Sequence, residues 1–191
     1  MAAPPLLALL AAGRASRFGA DKLAASCAGR PLAAHALGAA LATGWPVLCI
    51  TAPGQRPAWL PPEIAAVPNP RAAAGLATSL ALAAQAAEAR GADALVVQLA
   101  DMPCVSTALL MAVGEAQGTA ACRYPSGRPG VPARFPRARF PDLAALSGDR
   151  GAAALLADGS TVSLVDCAPA ELIDVDTPEA LARAEAVLGI R

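Results

Sequence analysis

The segment Ala11 to Lys22, AAGRASRFGADK, sets small residues beside Arg14, Arg17, Asp21 and Lys22. Small residues let backbone amides approach a ligand closely, and Arg17 and Lys22 can neutralise it, a mixture suited to a polyphosphate. The Gly-Lys-Ser/Thr of a P-loop is absent, and the next glycine after Gly13 is Gly19, which breaks the dinucleotide fingerprint. Spacing alone leaves an ordinary basic surface turn open. Lys22 is the only lysine and Asn69 the only asparagine in a chain rich in alanine, proline and arginine. If drift has replaced lysine wherever arginine serves, the survivor marks a spot where a compact ammonium matters; survival by chance is the other reading.

Two further stretches supply carboxylates. In VVQLADMP a hydrophobic run delivers Asp101 at its end. A carboxylate there can hold Mg²⁺, which takes one or two protein carboxylates beside phosphate oxygens; it can equally cap a helix beginning near Ser106. In LIDVDTPEAL, Asp174 and Asp176 lie two apart, on one side of an extended chain. One could face Asp101 while Thr177 caps the helix behind it; as a pair alone they also read as a solvated acidic turn.

Composition narrows the chemistry. The formal charge is zero and the arginines are scattered, which argues against nucleic acid or an anionic membrane as partner. The apolar run Leu6–Leu10 is followed, not preceded, by arginines, which opposes a secretory signal, and no stretch approaches the roughly 20 apolar residues of a membrane span. Cys27, Cys49, Cys104, Cys122 and Cys167 are widely spaced with no Cys-x-x-Cys pair, against a disulfide framework or zinc site and in keeping with a reduced cytoplasm. His35, the only histidine, has no cysteine beside it, so hydrolytic triads and histidine metal sites are disfavoured, and it reads as half-buried packing. Chemistry must lean on carboxylates, cations and backbone.

The elements that position these residues follow from hydrophobic patterning. Leu6–Leu10, Val47–Ile50, Ile64–Val67 and Leu95–Leu99 are short apolar runs bounded by turn residues, as in strands buried on both faces. Pro31–Thr43 and Leu76–Arg90 lie between them with helical character. Further on, Ser106–Gln117 and Asp149–Leu156 read as helices, and Thr119–Tyr124, Val131–Phe135 and Thr161–Val165 as strands. Thr177–Leu188 reads as a closing helix with Pro178 in its first turn. Alternation of strand and helix over 191 residues predicts a single α/β, Rossmann-like domain with a mostly parallel central sheet flanked by helices. Ligands then collect at the carboxyl ends of the strands.

The ordered set LLAAGRASRFGADK, AGRPLAAHAL, NPRAAAGLATSL, VVQLADMP, LSGDRGAAALL and DVDTPEAL resembles the molybdenum-cofactor nucleotidyltransferases (MobA-like) over nearly the whole chain. The resemblance implies a nucleotide-binding half, about 1–103, and an acceptor-binding half, about 104–191. It implies Ala11, Ala12 and Gly13 against the nucleotide, Arg17 and Lys22 on its phosphates, and Asn69, Gly75 and Ser79 around base and ribose. Asp101 would bind Mg²⁺ with Asp176 as second ligand, and Arg17, Lys22 and Asp101 would carry catalysis. Ala12 resembles the cytidylyltransferases; guanylyltransferase relatives tend to have glycine there, so CTP is favoured over GTP.

By the same resemblance the acceptor is a phosphorylated pterin, the molybdopterin form of molybdenum cofactor, with a molybdoenzyme or chaperone as possible partner. Its terminal phosphate is already anionic and can attack the α-phosphorus without a general base, leaving alignment and charge neutralisation to the protein. The segment YPSGRPGVPARF, with Arg128, Gly130 and Val131, is expected to touch the acceptor, and it departs from the family: cytidylyltransferases of this cofactor usually read Gly-His-Pro where this chain has Gly130-Val131-Pro132. Loss of the imidazole bears on the acceptor alone. The alternatives are a guanylyltransferase, transfer to another phosphorylated acceptor, or a non-catalytic cofactor carrier, which would have no use for Arg17, Lys22 and Asp101.

Overall fold

The computed structural model describes residues 3–13, 21–54, 56–146, 155–157 and 161–189. Its framework is a seven-stranded sheet. The strands are β1 (Leu6–Ala11), β4 (Val47–Thr51), β5 (Ala65–Pro68), β6 (Ala94–Leu99), β7 (Thr119–Arg123), β8 (Pro129–Pro136) and β9 (Val162–Val165). They run in the order β5-β4-β1-β6-β8-β7-β9, and β8 alone is antiparallel to its neighbours. A two-stranded hairpin, β2 (Ser26–Cys27) and β3 (Arg30–Pro31), stands apart.

Helices cover both faces because β1 is apolar at every position and fully buried. Leu6, Ala8 and Leu10 pack with Leu95 and Val97 under α2 (Leu76–Ala89) and α4 (Phe140–Ala144). On the other face Leu7 and Val96 meet α3 (Thr107–Glu115), and Leu9 and Cys49 meet α1 (Leu32–Leu41). The last helix, α5 (Pro178–Leu188), docks through Ala184 on Cys27, Leu32 and Cys104. No helix among the described residues is long and apolar enough to cross a membrane.

The expected elements recur with small shifts. Ser106 lies outside α3 and caps it, its hydroxyl accepting from the Leu109 amide at 3.1 Å, and Thr177 caps α5 by accepting from Ala180 at 3.2 Å. The strand expected at Val131–Phe135 starts earlier and contains a bulge: Ala121 faces Ala133, whereas Cys122 faces Gly130. Val131 and Pro132 fall between those pairs, and the Val131–Pro132 peptide is cis. Proline is tolerated in this strand because it occupies the bulge and the two ends, where no ladder donor is required. The helix α4 and the β2–β3 hairpin were not anticipated by the patterning, and most of the helix expected at Asp149–Leu156 lies outside the described residues.

Candidate active site

Parallel strands β4, β1 and β6 all end at one edge of the sheet, on either side of the point where the strand order reverses. A cleft of about 390 Å³ opens there. Its walls include Ala11, Ala12 and Gly13 beyond β1, Leu76 and Ser79 on α2, Asp101 beyond β6, and Lys22 and Asp176 facing them. Asp101 is presented by a turn whose Ala100 amide donates to the Leu10 carbonyl at 3.0 Å. The Asp101 carbonyl in turn accepts from the Val175 amide at 3.0 Å, which stitches the segment before α5 to the end of β6. Val175 is fully buried, so Asp174 and Asp176 on either side of it share the outward side of the chain.

Lys22 binds these segments together. Its Nζ donates to Asp101 Oδ2 at 2.9 Å and to Asp176 Oδ1 at 2.8 Å, and its side chain is 9% exposed. The backbone beneath it is a short 3-10 turn, Lys22–Ala24, capped by Asp21, whose carboxylate accepts from the Leu23 amide. Burial alone would lower the ammonium's pKa, but the charges of Asp101 and Asp176 and their hydrogen bonds together outweigh it and raise it. Asp174 completes the carboxylate group: one oxygen each from Asp101, Asp174 and Asp176 lie within 4.8 Å of one another. Desolvation first, then the charges of Asp101 and Asp176, push the Asp174 carboxyl up to about 6 against the opposing pull of Lys22.

The donor set suits a hard divalent cation. All three groups offer carboxylate oxygen, the ligand type of Mg²⁺ and Mn²⁺. Asp101 Oδ1 is buried with no hydrogen-bond partner, so it retains acceptor capacity for an incoming cation.

Other expected residues lie behind the wall of the cleft. Asn69 is 1% exposed, and its amide is committed: Nδ2 donates to Thr78 Oγ1 at 2.8 Å and Ser79 Oγ at 3.0 Å, while Oδ1 accepts from the Arg71 amide. It thereby ties the loop after β5 to the first turn of α2 and fixes Ser79, which does line the cleft. Gly75 supplies the turn into α2 at φ +103°, a conformation that side chains disfavour. Arg17 lies outside the described residues. His35 is half-buried on α1, with Nε2 2.7 Å from the Cys27 carbonyl.

A second cleft, about 320 Å³, adjoins the first and shares Leu10, Leu76 and Leu99 with it. Arg128, Gly130 and Val131 line it, together with Leu80, Val97 and Tyr124. Tyr124 donates to the Val131 carbonyl at 2.9 Å. Burial first, then nearby negative groups, push its phenol up to about 12, so it remains a donor. Gly130 leaves the space that the Tyr124 ring fills: a Cβ there would lie 2.3 Å from a ring carbon. Sequence reasoning missed Tyr124, and also Trp59 and Pro57, which wall the first cleft from the proline-rich connection before β5. A tryptophan among four prolines was the available signal.

The family model of the MobA-like NTP transferase domain matches residues 7–164. No curated protein matches the chain. Among solved structures, Rv0371c from Mycobacterium tuberculosis H37Rv is 28% identical, with 96% of this chain and 98% of that one covered and a TM-score of 0.78. The same protein has been solved in complex with manganese; that structure is 26% identical over 97% of this chain and 100% of that one, TM-score 0.71. A nucleotidyl transferase from Methanothermobacter thermautotroptrophicus shares the fold at 23% identity, covering 98% and 99%, with a TM-score of 0.79. So does molybdopterin-guanine dinucleotide biosynthesis protein A from Archaeoglobus fulgidus, at 18% identity, 97% and 100% covered, TM-score 0.70.

Proposed function

The chain belongs to the MobA-like NTP transferase family and is a nucleotidyltransferase, and from that premise we propose that it transfers CMP from CTP to the terminal phosphate of the molybdopterin form of molybdenum cofactor, releasing pyrophosphate. One observation carries this reading: Lys22, Asp101 and Asp176 converge in a cleft at the strand ends that opens into a second cleft. The nucleotide half is about 1–103 and the acceptor half about 104–191, with Asp176 reaching back across the boundary and Leu10, Leu76, Leu80, Val97 and Leu99 lining the second cleft from the first half.

In this reading an acceptor phosphate oxygen attacks the α-phosphorus, and the bond to the β-phosphate oxygen breaks as pyrophosphate takes the electron pair. Asp101 and Asp176 would hold Mg²⁺, which would supply charge neutralisation on the phosphates. The backbone of Ala11, Ala12 and Gly13 lies along the nucleotide, and Lys22 and Arg17 meet charge gathering on the leaving pyrophosphate. Ser79, oriented by Asn69, offers a hydroxyl to the base or ribose. No residue serves as nucleophile, in keeping with a cleft that, among the described residues, contains neither histidine nor cysteine. The reduced, widely spaced cysteines accord with a cytoplasmic setting, and a molybdoenzyme or its chaperone is the natural recipient of the product.

A second reading concerns the acceptor. Val131 brings an apolar side chain where the resemblance expects imidazole, and most of the second cleft is aliphatic, which favours a phosphorylated acceptor other than a pterin. Pyrophosphate release measured with CTP and with GTP, each with and without molybdopterin-type acceptor, separates the possibilities. CTP- and acceptor-dependent release supports the assignment; GTP preference defeats the cytidylyl choice. Turnover only with a different phosphate compound establishes the second reading.

A further inference from the structure

We infer that in the nucleotide-free protein the ammonium of Lys22 occupies the divalent cation's place between Asp101 and Asp176, so that cation loading waits for a nucleotide whose phosphates draw the lysine away. This rests on the nucleotidyltransferase reading above and concerns the order in which its site is filled.

The geometry sets up a competition. Lys22 Nζ sits 2.9 and 2.8 Å from one oxygen of each aspartate. A Mg²⁺ or Mn²⁺ ion bonds carboxylate oxygen at about 2.0–2.2 Å, so an ion on those same oxygens lies at most about 5 Å from the ammonium. Like charges that close in a partly buried site disfavour one another. Among the described residues the cluster also carries an excess of acceptors over donors. Three carboxylates face one ammonium, and Asp101 Oδ1 is buried without a partner. The lysine balances part of the negative charge.

The lysine is also able to leave. Its backbone is pinned by the Asp21 cap and by the Ala25 amide donating to the Lys22 carbonyl at 3.1 Å, while four methylenes separate that anchor from Nζ. Its destination is near: the small residues Ala12 and Gly13, which the nucleotide reading sets against the ligand, line the same cleft. A triphosphate arriving there offers the ammonium phosphate oxygens as alternative partners to the two aspartates. Departure of the lysine then exposes both carboxylates to the cation that travels with the phosphates. One residue thus neutralises the aspartates in the empty site and the phosphates in the filled one.

Because Lys22 is the only lysine, protein grown with ¹³C,¹⁵N-lysine carries one lysine side-chain signal, and NMR reads the pair directly. The expected result is that millimolar Mg²⁺ alone leaves the ε-methylene signal unmoved, whereas α,β-methylene-CTP with Mg²⁺ shifts it. In parallel, electron paramagnetic resonance follows Mn²⁺ binding without nucleotide, and Lys22→Met is expected to bind at least about tenfold more tightly than wild type. A signal that moves with Mg²⁺ alone overturns the inference. So does wild type that binds Mn²⁺ as tightly as Lys22→Met, or a folded Lys22→Met that gains no affinity. Should that variant fail to fold, the wild-type NMR arm decides. If Mg²⁺ alone displaces the lysine while CTP-dependent pyrophosphate release persists, this inference fails and the transferase reading stands; failure of the transferase reading appears instead as no pyrophosphate release with any donor.

Discussion

Gly130→Ala is the sharpest probe of the wall between β8 and the second cleft. The added methyl would meet three Tyr124 ring carbons at 2.3, 2.7 and 2.9 Å, against an ordinary carbon contact of about 3.5–4.0 Å. Gly130 needs no special backbone conformation, since it is not among the glycines of positive φ; the effect is one of space. The ring must move by roughly 1 Å, and that movement breaks its 2.9 Å bond to the Val131 carbonyl. Overpacking costs about 1–3 kcal/mol and the lost bond about 1 kcal/mol more. For a chain of this length the sum lowers Tm by roughly 4–16 °C. Calorimetric or fluorescence melting measures it, and a cycle with Tyr124→Leu isolates the contact: relieving the clash should leave the double variant about 1–2 kcal/mol more stable than additivity. If the second cleft holds the acceptor as proposed, the acceptor's KM rises with little change in CTP affinity. Strict additivity, or an alanine variant that melts with wild type, would refute the tight-contact argument.

Lys22→Ala should slow turnover by about a hundredfold while weakening nucleotide binding much less, with Lys22→Arg recovering only part, as steady-state kinetics and calorimetry together will report. Asp101→Asn should remove most activity with the fold retained, and Asp176→Asn should be milder, because Asp101 is the more enclosed of the two; the reverse order of severity would reassign the principal cation ligand. Asn69→Ala should cost about 1–3 kcal/mol in urea unfolding, because the Thr78 and Ser79 hydroxyls lose their shared donor.

The parts of this fold legible in the sequence were those under the strongest single constraint. Leu6–Leu10, Val47–Ile50 and Leu95–Leu99 had to be buried on both faces, and a carboxylate directly after such a run had to lie at the strand end, as Asp101 does. The two-residue spacing of Asp174 and Asp176 also carried through, because an extended chain alternates sides around buried Val175. Less legible was whatever depends on partners distant in sequence. The five-residue α4 shows no period of its own and exists through the burial of Phe140 and Leu143 against α2. Asn69 stood out by scarcity, but only the structure reveals that its amide is spent on α2. Tyr124 gave no signal, because its importance comes from the hole at Gly130, six residues away.

The hydrogen bond from the Val175 amide to the Asp101 carbonyl has a consequence for how the protein is made. As the chain leaves the ribosome, residues up to Leu99 can pair β5, β4, β1 and β6 and shape most of the first cleft. Two of the three clustered carboxylates arrive only some seventy residues after Asp101, on the segment that this bond docks. Until then Lys22 has one aspartate instead of two, and the nascent protein holds Asp101 as the first of the three clustered carboxylates. The carboxylate cluster is therefore completed only after the sheet that frames the cleft, once the segment carrying Asp174 and Asp176 docks on the end of β6.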